Sequence, residues 1–219
     1  MSLSPKGNQP KHYDGKYFLK VDSFGGEALS EFLISLFLES TSFKDFVPYR
    51  YIFPNISKSP SYKPRYSFIP MFQIILDYLY AFVTLDIIFI NTDRHFQNFG
   101  LMFDSDLNCF RTSLLFDQGF SLGVGENSLF LKRVYLHRDK QIKMQPFGTT
   151  LKSNSKAVEW YPYDFDVVKF VNLLQSELSN WTVLDMSHQW NLMKRQLNLY
   201  YPQDTNGVNT LEYLTSVGL

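Results

Sequence analysis

Ile90-Asn91-Thr92-Asp93-Arg94-His95-Phe96-Gln97-Asn98-Phe99-Gly100 is the stretch whose reading settles the fold. It leaves a long apolar segment and runs into Leu101-Met102-Phe103. After a turn at Asp104-Ser105-Asp106, the chain returns to Leu114-Leu115-Phe116 and stops at Asp117-Gln118-Gly119. Two apolar runs about a polar turn predict a hairpin of buried strands. Such a hairpin brings Asp93, Asn98 and Asp117 to one end. An aspartate, an asparagine five residues on and a second aspartate form an oxygen-rich group. Oxygen donors without thiols or imidazoles suit Mg²⁺ held together with substrate phosphates. Each of these residues alone is also an ordinary turn former. Their order, beside two apolar strands, favours a site.

Upstream, apolar residues at 72, 75, 76, 79, 82 and 83 have helical spacing and predict a helix from Met71 to about Phe89. The run Ile74 to Ile90 resembles a membrane span in apolarity, but it contains Asp77 and Asp86. Carboxylates are costly at a bilayer centre, so a buried core helix is expected. Nearer the start, Asp14-Gly15 signals a hairpin turn ahead of a strand over Tyr17 to Val21. Gly25-Gly26 ends that strand, and Glu27 to Glu39 reads as a helix. A second strand is expected over Phe46 to Phe53, loop over the Ser/Pro-rich Asn55 to Pro64, and a short extended piece over Tyr66 to Pro70. Gly123 to Pro162 reads as a long, irregular functional loop with short elements. Amphipathic helices are expected over Asp164 to Leu178 and Thr182 to Tyr201, the second stopped by Pro202. The class is therefore α+β: a small mixed part, then a larger, mainly helical one.

At 219 residues and 45% apolar, with 21 Phe and 14 Tyr, the chain can build one aromatic-rich core. Its 21 basic and 21 acidic side chains cancel, which argues against coating nucleic acid or an anionic membrane. A single cysteine, Cys109, excludes an internal disulfide and a cysteine-built zinc or iron–sulfur centre, and fits a reducing compartment. Met1 to Lys11 lacks the apolar stretch of a signal peptide, so a cytoplasmic location is expected.

D-x-x-x-x-N, an apolar strand and then D-x-G is the order of the protein-kinase catalytic and metal-binding loops. In this form the chain resembles the HipA-like serine/threonine kinases, particularly their short HipT and CtkA types. Ser4-Pro5-Lys6-Gly7-Asn8-Gln9-Pro10-Lys11 is similar to that family's S-x-x-G-x-Q-x-K phosphate loop. Asp93-Arg94-His95 and Phe116-Asp117-Gln118-Gly119 are also similar to phosphatidylinositol kinases.

The resemblance implies a single two-lobed kinase-like domain over 1–219, with an N-lobe at 1–69 and a C-lobe at 70–219. It implies ATP and Mg²⁺ as cofactors. Asp93 would be the catalytic base. His95 would assist proton transfer or, as favoured here, brace the loop. Asn98 and Asp117 would hold Mg²⁺, and the backbone of Gly7, Asn8 and Gln9 would cradle the phosphates. Lys20 would contact the α- and β-phosphates, paired with Glu31 or, one turn earlier, Glu27. Arg94 would pair with a nearby carboxylate or with a phosphorylated loop. Ser4 would be an autophosphorylation site. Met144 to Thr150 falls where kinases place activation and substrate-docking elements. The substrate would be a protein, and the partner an antitoxin or an N-terminal subdomain such as HipA toxins carry. Secretion as an effector is the alternative location. A lipid or small-molecule kinase is the rival activity. A non-catalytic nucleotide-binding or scaffold protein is disfavoured because each catalytic position is filled.

Overall fold

The computed structural model describes residues 11–13, 17–22, 25–52, 56–60, 71–104, 109–124, 142, 144, 150–178 and 187–218. β1 (Lys11–Tyr13) and β2 (Tyr17–Val21) pair antiparallel with Tyr13 opposite Phe18, the hairpin that Asp14-Gly15 signals. β3 (Arg50–Ile52) and β4 (Ile56–Pro60) complete an antiparallel sheet of order β1-β2-β4-β3.

Two expectations need correction here. β4 lies inside the stretch read as loop. A strand with partners on both sides is held by backbone pairing, which tolerates its Ser and Lys side chains, and Pro60 falls at its last position. The strand expected from Phe46 is broken. Phe46 makes an isolated parallel bridge to Leu115, Pro48 has no N–H to offer a ladder, and β3 begins only at Arg50. Tyr66 to Pro70 lies outside the described residues.

α1 (Glu27–Glu39) starts where the sequence predicts. The Asp22 carboxylate accepts from the N–H groups of Gly26 and Ala28, each at 2.7 Å, satisfying donors at the helix start. Every α1 residue from Glu27 to Leu38 is buried. The helix is covered by β3 and β4 and by two C-terminal helices, α4 (Val167–Glu177) and α5 (His188–Tyr200).

α2 (Met71–Phe89) matches its expected range, and Ala81 to Ile90 is buried as a core helix requires. No helix among the described residues is long and apolar enough to cross a membrane. At its end, Ile90 adopts a left-handed φ of 56°, and the Asn91 N–H donates to Asp86 O at 2.9 Å. This is a Schellman ending with isoleucine where glycine is usual. The strain is of order ~1–3 kcal/mol. It is held by burial of Ile90 and by the Leu122 N–H donating to Phe89 O at 2.8 Å.

β5 (Leu101–Asp104) and β6 (Cys109–Thr112) form the expected hairpin, Leu101 opposite Thr112. The returning strand comes earlier than Leu114-Phe116, and the ribbon is not buried: Leu101, Met102, Phe103 and Phe110 are all exposed. Apolarity predicts a face that can be covered, not that a neighbour covers it.

α3 (Leu151–Ser155) is a short element within the long loop, of the kind expected there. α4 begins at Val167 rather than Asp164, because Asp166 caps it by accepting from Lys169 N at 2.8 Å. Asp164 instead accepts from Ser42 N at 2.7 Å, tying it to the chain just past α1. Ser187 caps α5, which ends before Pro202, and 182–186 lies outside the described residues. α6 (Thr210–Ser216), capped by Asn209, was not foreseen. One core runs from Leu29 in α1 to Leu214 in α6. The Phe37 ring meets Phe89, Tyr163, Phe165 and Tyr201 at 4.9 to 5.7 Å between centroids.

Candidate functional site

Four segments distant in sequence meet in one hydrogen-bonded line. Lys20 on β2 pairs with Glu31 on α1. Its Nζ also donates to Asp117 Oδ1 at 2.9 Å. The other Asp117 oxygen accepts from Asn98 Nδ2. The strand alternation sends Lys20 to the helix side of the sheet, and the first half of α1 presents Glu31 to it. The structure chooses Glu31 over Glu27 as the lysine's partner.

The line is largely buried: Glu31 is 1% exposed, Asn98 4% and Lys20 8%. Burial opposes the Lys20 charge, but Glu31, Tyr49 and Asp117 outweigh it and hold the ammonium well above the usual lysine value. Tyr49 was missed by sequence reasoning. Its ring lies 5.3 Å from Lys20 Nζ, and burial, then Glu31, pushes its phenol up. It stands in the stretch expected as a strand, with nothing in the sequence to distinguish it from the other tyrosines.

The two loops that carry Asp93, Asn98 and Asp117 are laced together. Asn91 Nδ2 donates to Gln118 Oε1 at 3.1 Å, and Thr92 N donates to Phe120 O at 3.2 Å. Arg94 is 1% exposed and grips Asp86 with two bonds, at 2.9 and 2.8 Å. Its remaining nitrogen donates to Phe116 O at 2.8 Å. The carboxylate that argued against a membrane span is therefore the partner Arg94 needs. Asp117 itself has a left-handed φ of 63°, which turns its carboxylate out of the strand direction.

Asp93 sits on the rim, exposed, with its N–H bonded to Asn91 Oδ1 at 3.1 Å. Neighbouring chain nonetheless strips part of the water from its carboxylate and raises its pKa; His95 opposes that, Asp117 adds to it and Arg94 opposes it. His95 contributes to the loop in two ways. Its backbone N–H donates to Asn98 Oδ1 at 3.1 Å, and its side-chain Nδ1 accepts from Gln97 N at 3.3 Å. Only the second of these bonds uses the imidazole. Gly7, Asn8 and Gln9, with Ser4, lie outside the described residues, as does most of Met144 to Thr150.

Among the described residues no three His, Cys, Asp or Glu side chains gather into a metal-holding cluster. The Asn98 amide lies against the Asp117 carboxylate through its nitrogen while its oxygen accepts from the His95 backbone N–H, so the pair brings a carboxylate and an amide together as donor types. That donor set fits Mg²⁺, which keeps several waters and shares its coordination with phosphate.

The architecture is that of a mixed α/β, kinase-like fold. No protein-family model matches the sequence, and no curated protein matches it. Among solved structures, the chain is similar to the crystal structure of the Helicobacter pylori proinflammatory kinase CtkA. The TM-score is 0.57 at 10% sequence identity, over 97% of this chain and 96% of that one. The likeness establishes a shared fold.

Proposed function

We propose that this chain is an ATP- and Mg²⁺-dependent phosphotransferase of the HipA-like class that phosphorylates serine or threonine on a protein. The observation that carries the reading is the line Glu31–Lys20–Asp117–Asn98, with Asp93 at its rim. Lysine, helix glutamate, loop asparagine and metal-loop aspartate converge in the relation that phosphoryl transfer uses.

In this reading Lys20, held by Glu31, contacts the triphosphate, together with the backbone of Gly7, Asn8 and Gln9. Asn98 and Asp117 hold Mg²⁺, which when bound neutralises charge on the phosphate oxygens. Asp93 accepts the proton of the attacking hydroxyl, and its raised pKa makes it a stronger base than an unperturbed aspartate. His95 fixes the loop between Asp93 and Asn98. The chain acts as one kinase-like domain with lobes at 1–69 and 70–219. A cytoplasmic location and an antitoxin or subdomain partner belong to the same reading.

The test combines binding with transfer. Mg-ATP should raise the melting temperature of the wild type by mass action. Asp117→Asn should lose most of the Mg²⁺-dependent part of that shift. Asp93→Asn should keep the shift and lose phosphoryl transfer, read by mass spectrometry of a lysate incubated with protein and Mg-ATP. No shift with millimolar Mg-ATP would overturn the proposal. Phosphate on phosphoinositide vesicles and on no protein would replace the protein substrate with a lipid.

A further inference from the structure

Phe96 stands three residues after Asp93 and two before Asn98, and it is 74% exposed, more than any other large apolar side chain among the described residues. Nothing in the loop's folding needs an aromatic ring there. The loop is held by Asn91, Arg94, His95 and Asn98, and its neighbour Gln97 is exposed and polar. Yet the ring has an aromatic neighbour. It lies 5.7 Å from the ring of Phe99, which stacks on Phe82 of α2 at 4.7 Å and 28°. Phe82 is fully buried and lies under the Arg94 guanidinium at 5.9 Å. A row of three rings thus runs from the core to the surface and ends three residues along the chain from the residue proposed as the base. Exposed apolar surface continuous with the core at such a point gains by being covered.

Resting on the phosphotransferase reading above, we infer that Phe96 is the docking residue for the phosphoacceptor, a peptide segment with a large apolar side chain within three positions of the accepting hydroxyl. Three residues of chain span at most about 11 Å. An extended peptide advances ~3.3 Å per residue. With the acceptor hydroxyl at Asp93, the side chains that can reach Phe96 are therefore those no more than about three positions away. An aromatic ring recognises an aliphatic or aromatic partner there by burial of apolar area and ring stacking.

The experiment is a positional-scanning library of serine- and threonine-centred peptides, offered with Mg-ATP to the full chain. The wild type should select large apolar residues at one position within three of the acceptor. Phe96→Ala should erase that selection. On the best peptide it should raise KM about tenfold or more, with kcat little changed. Phe96→Leu should restore most of the preference. The side chain is exposed, so its loss opens no core cavity, and circular dichroism checks that each variant is folded. An unchanged peptide preference in Phe96→Ala would overturn the docking role and leave the kinase intact. So would transfer to lipid vesicles only. Absence of both ATP stabilisation and transfer in the wild type would sink the underlying phosphotransferase reading instead.

Discussion

In the proposed transfer Asp93 serves as a base only while ionised, so that reading places a pH limit on turnover. Burial raises its pKa, and the Asp117 charge works in the same direction, against His95 and Arg94. The rate should therefore fall, as pH drops, through a value above the ~3.9 of a free aspartate. Because His95 opposes the rise, His95→Asn should move this acid limb to higher pH. A kcat/KM profile of both proteins checks it, and a limb that stays in place or moves down would show that His95 exerts no such influence. The sign for stability is the reverse of a salt-bridged carboxylate. The folded chain holds this proton more tightly than the unfolded one, so Asp93 detracts from stability as pH rises through the window. At this scale the sequence was informative about identities. The spacing of Asp93, Asn98 and Asp117 is legible because the chain that joins them is short. The choice between Glu27 and Glu31 was not, since both lie on one helix face and only the position of β2 relative to α1 separates them.

The junction of α2 with the loop after it is an element under load. A β-branched residue in a left-handed conformation ends the helix, and the next turn hangs on Arg94. That arginine joins α2, through Asp86, to the segment that delivers Asp117, through Phe116 O. Asp86 and Arg94 are each 1% exposed as a pair, so removing one charge strands the other in a dry interior. Asp86→Asn should cost about 3–5 kcal/mol of stability. Urea unfolding measures it. Phosphoryl transfer at a temperature where the variant is still folded should also fall, because Asp93 and Asp117 lose their common anchor. A cost below about 1 kcal/mol would mean that water or a relaxed loop already screens the pair. The helix itself was readable from its 3.6-residue period. The use of Asp86 was not, because a carboxylate in an apolar run announces only that something must compensate it.

Across the whole molecule, the position of Glu31 depends on helices far along the chain. α1 is buried all round, between the sheet and the pair α4 and α5. At the helix start, a methyl on Gly26, which has φ +89°, would come within 2.2 Å of the Gln189 side chain on α5. Trp190, next in α5, is 1% exposed and stacks on Phe170 of α4 at 6.4 Å and 16°. Trp190→Ala should cost about 3–5 kcal/mol by cavity formation. It should also weaken Mg-ATP binding in the protein that remains folded, since the backing of α1 then loosens. Denaturant titration and an ATP titration together check both parts. Full stability in the variant would show that the C-terminal helices cover α1 without supporting it.

The sequence by itself determined the elements whose signal is local: the first hairpin, α1, α2 and the oxygen-rich loops around Asp93 and Asp117. Chain connectivity or helical period fixes each of these within a few turns. Tertiary structure alone decided four things. It made a strand of the Ser- and Lys-bearing Ile56–Pro60, because pairing on both edges outweighs side-chain preference. It left Leu101, Met102, Phe103 and Phe110 exposed, because burial depends on a neighbour as well as on apolarity. It selected Glu31 and brought Tyr49 to Lys20. And it set Asp86 against Arg94. Each depends on which distant surface arrives opposite a residue, and packing, rather than sequence spacing, supplies that surface.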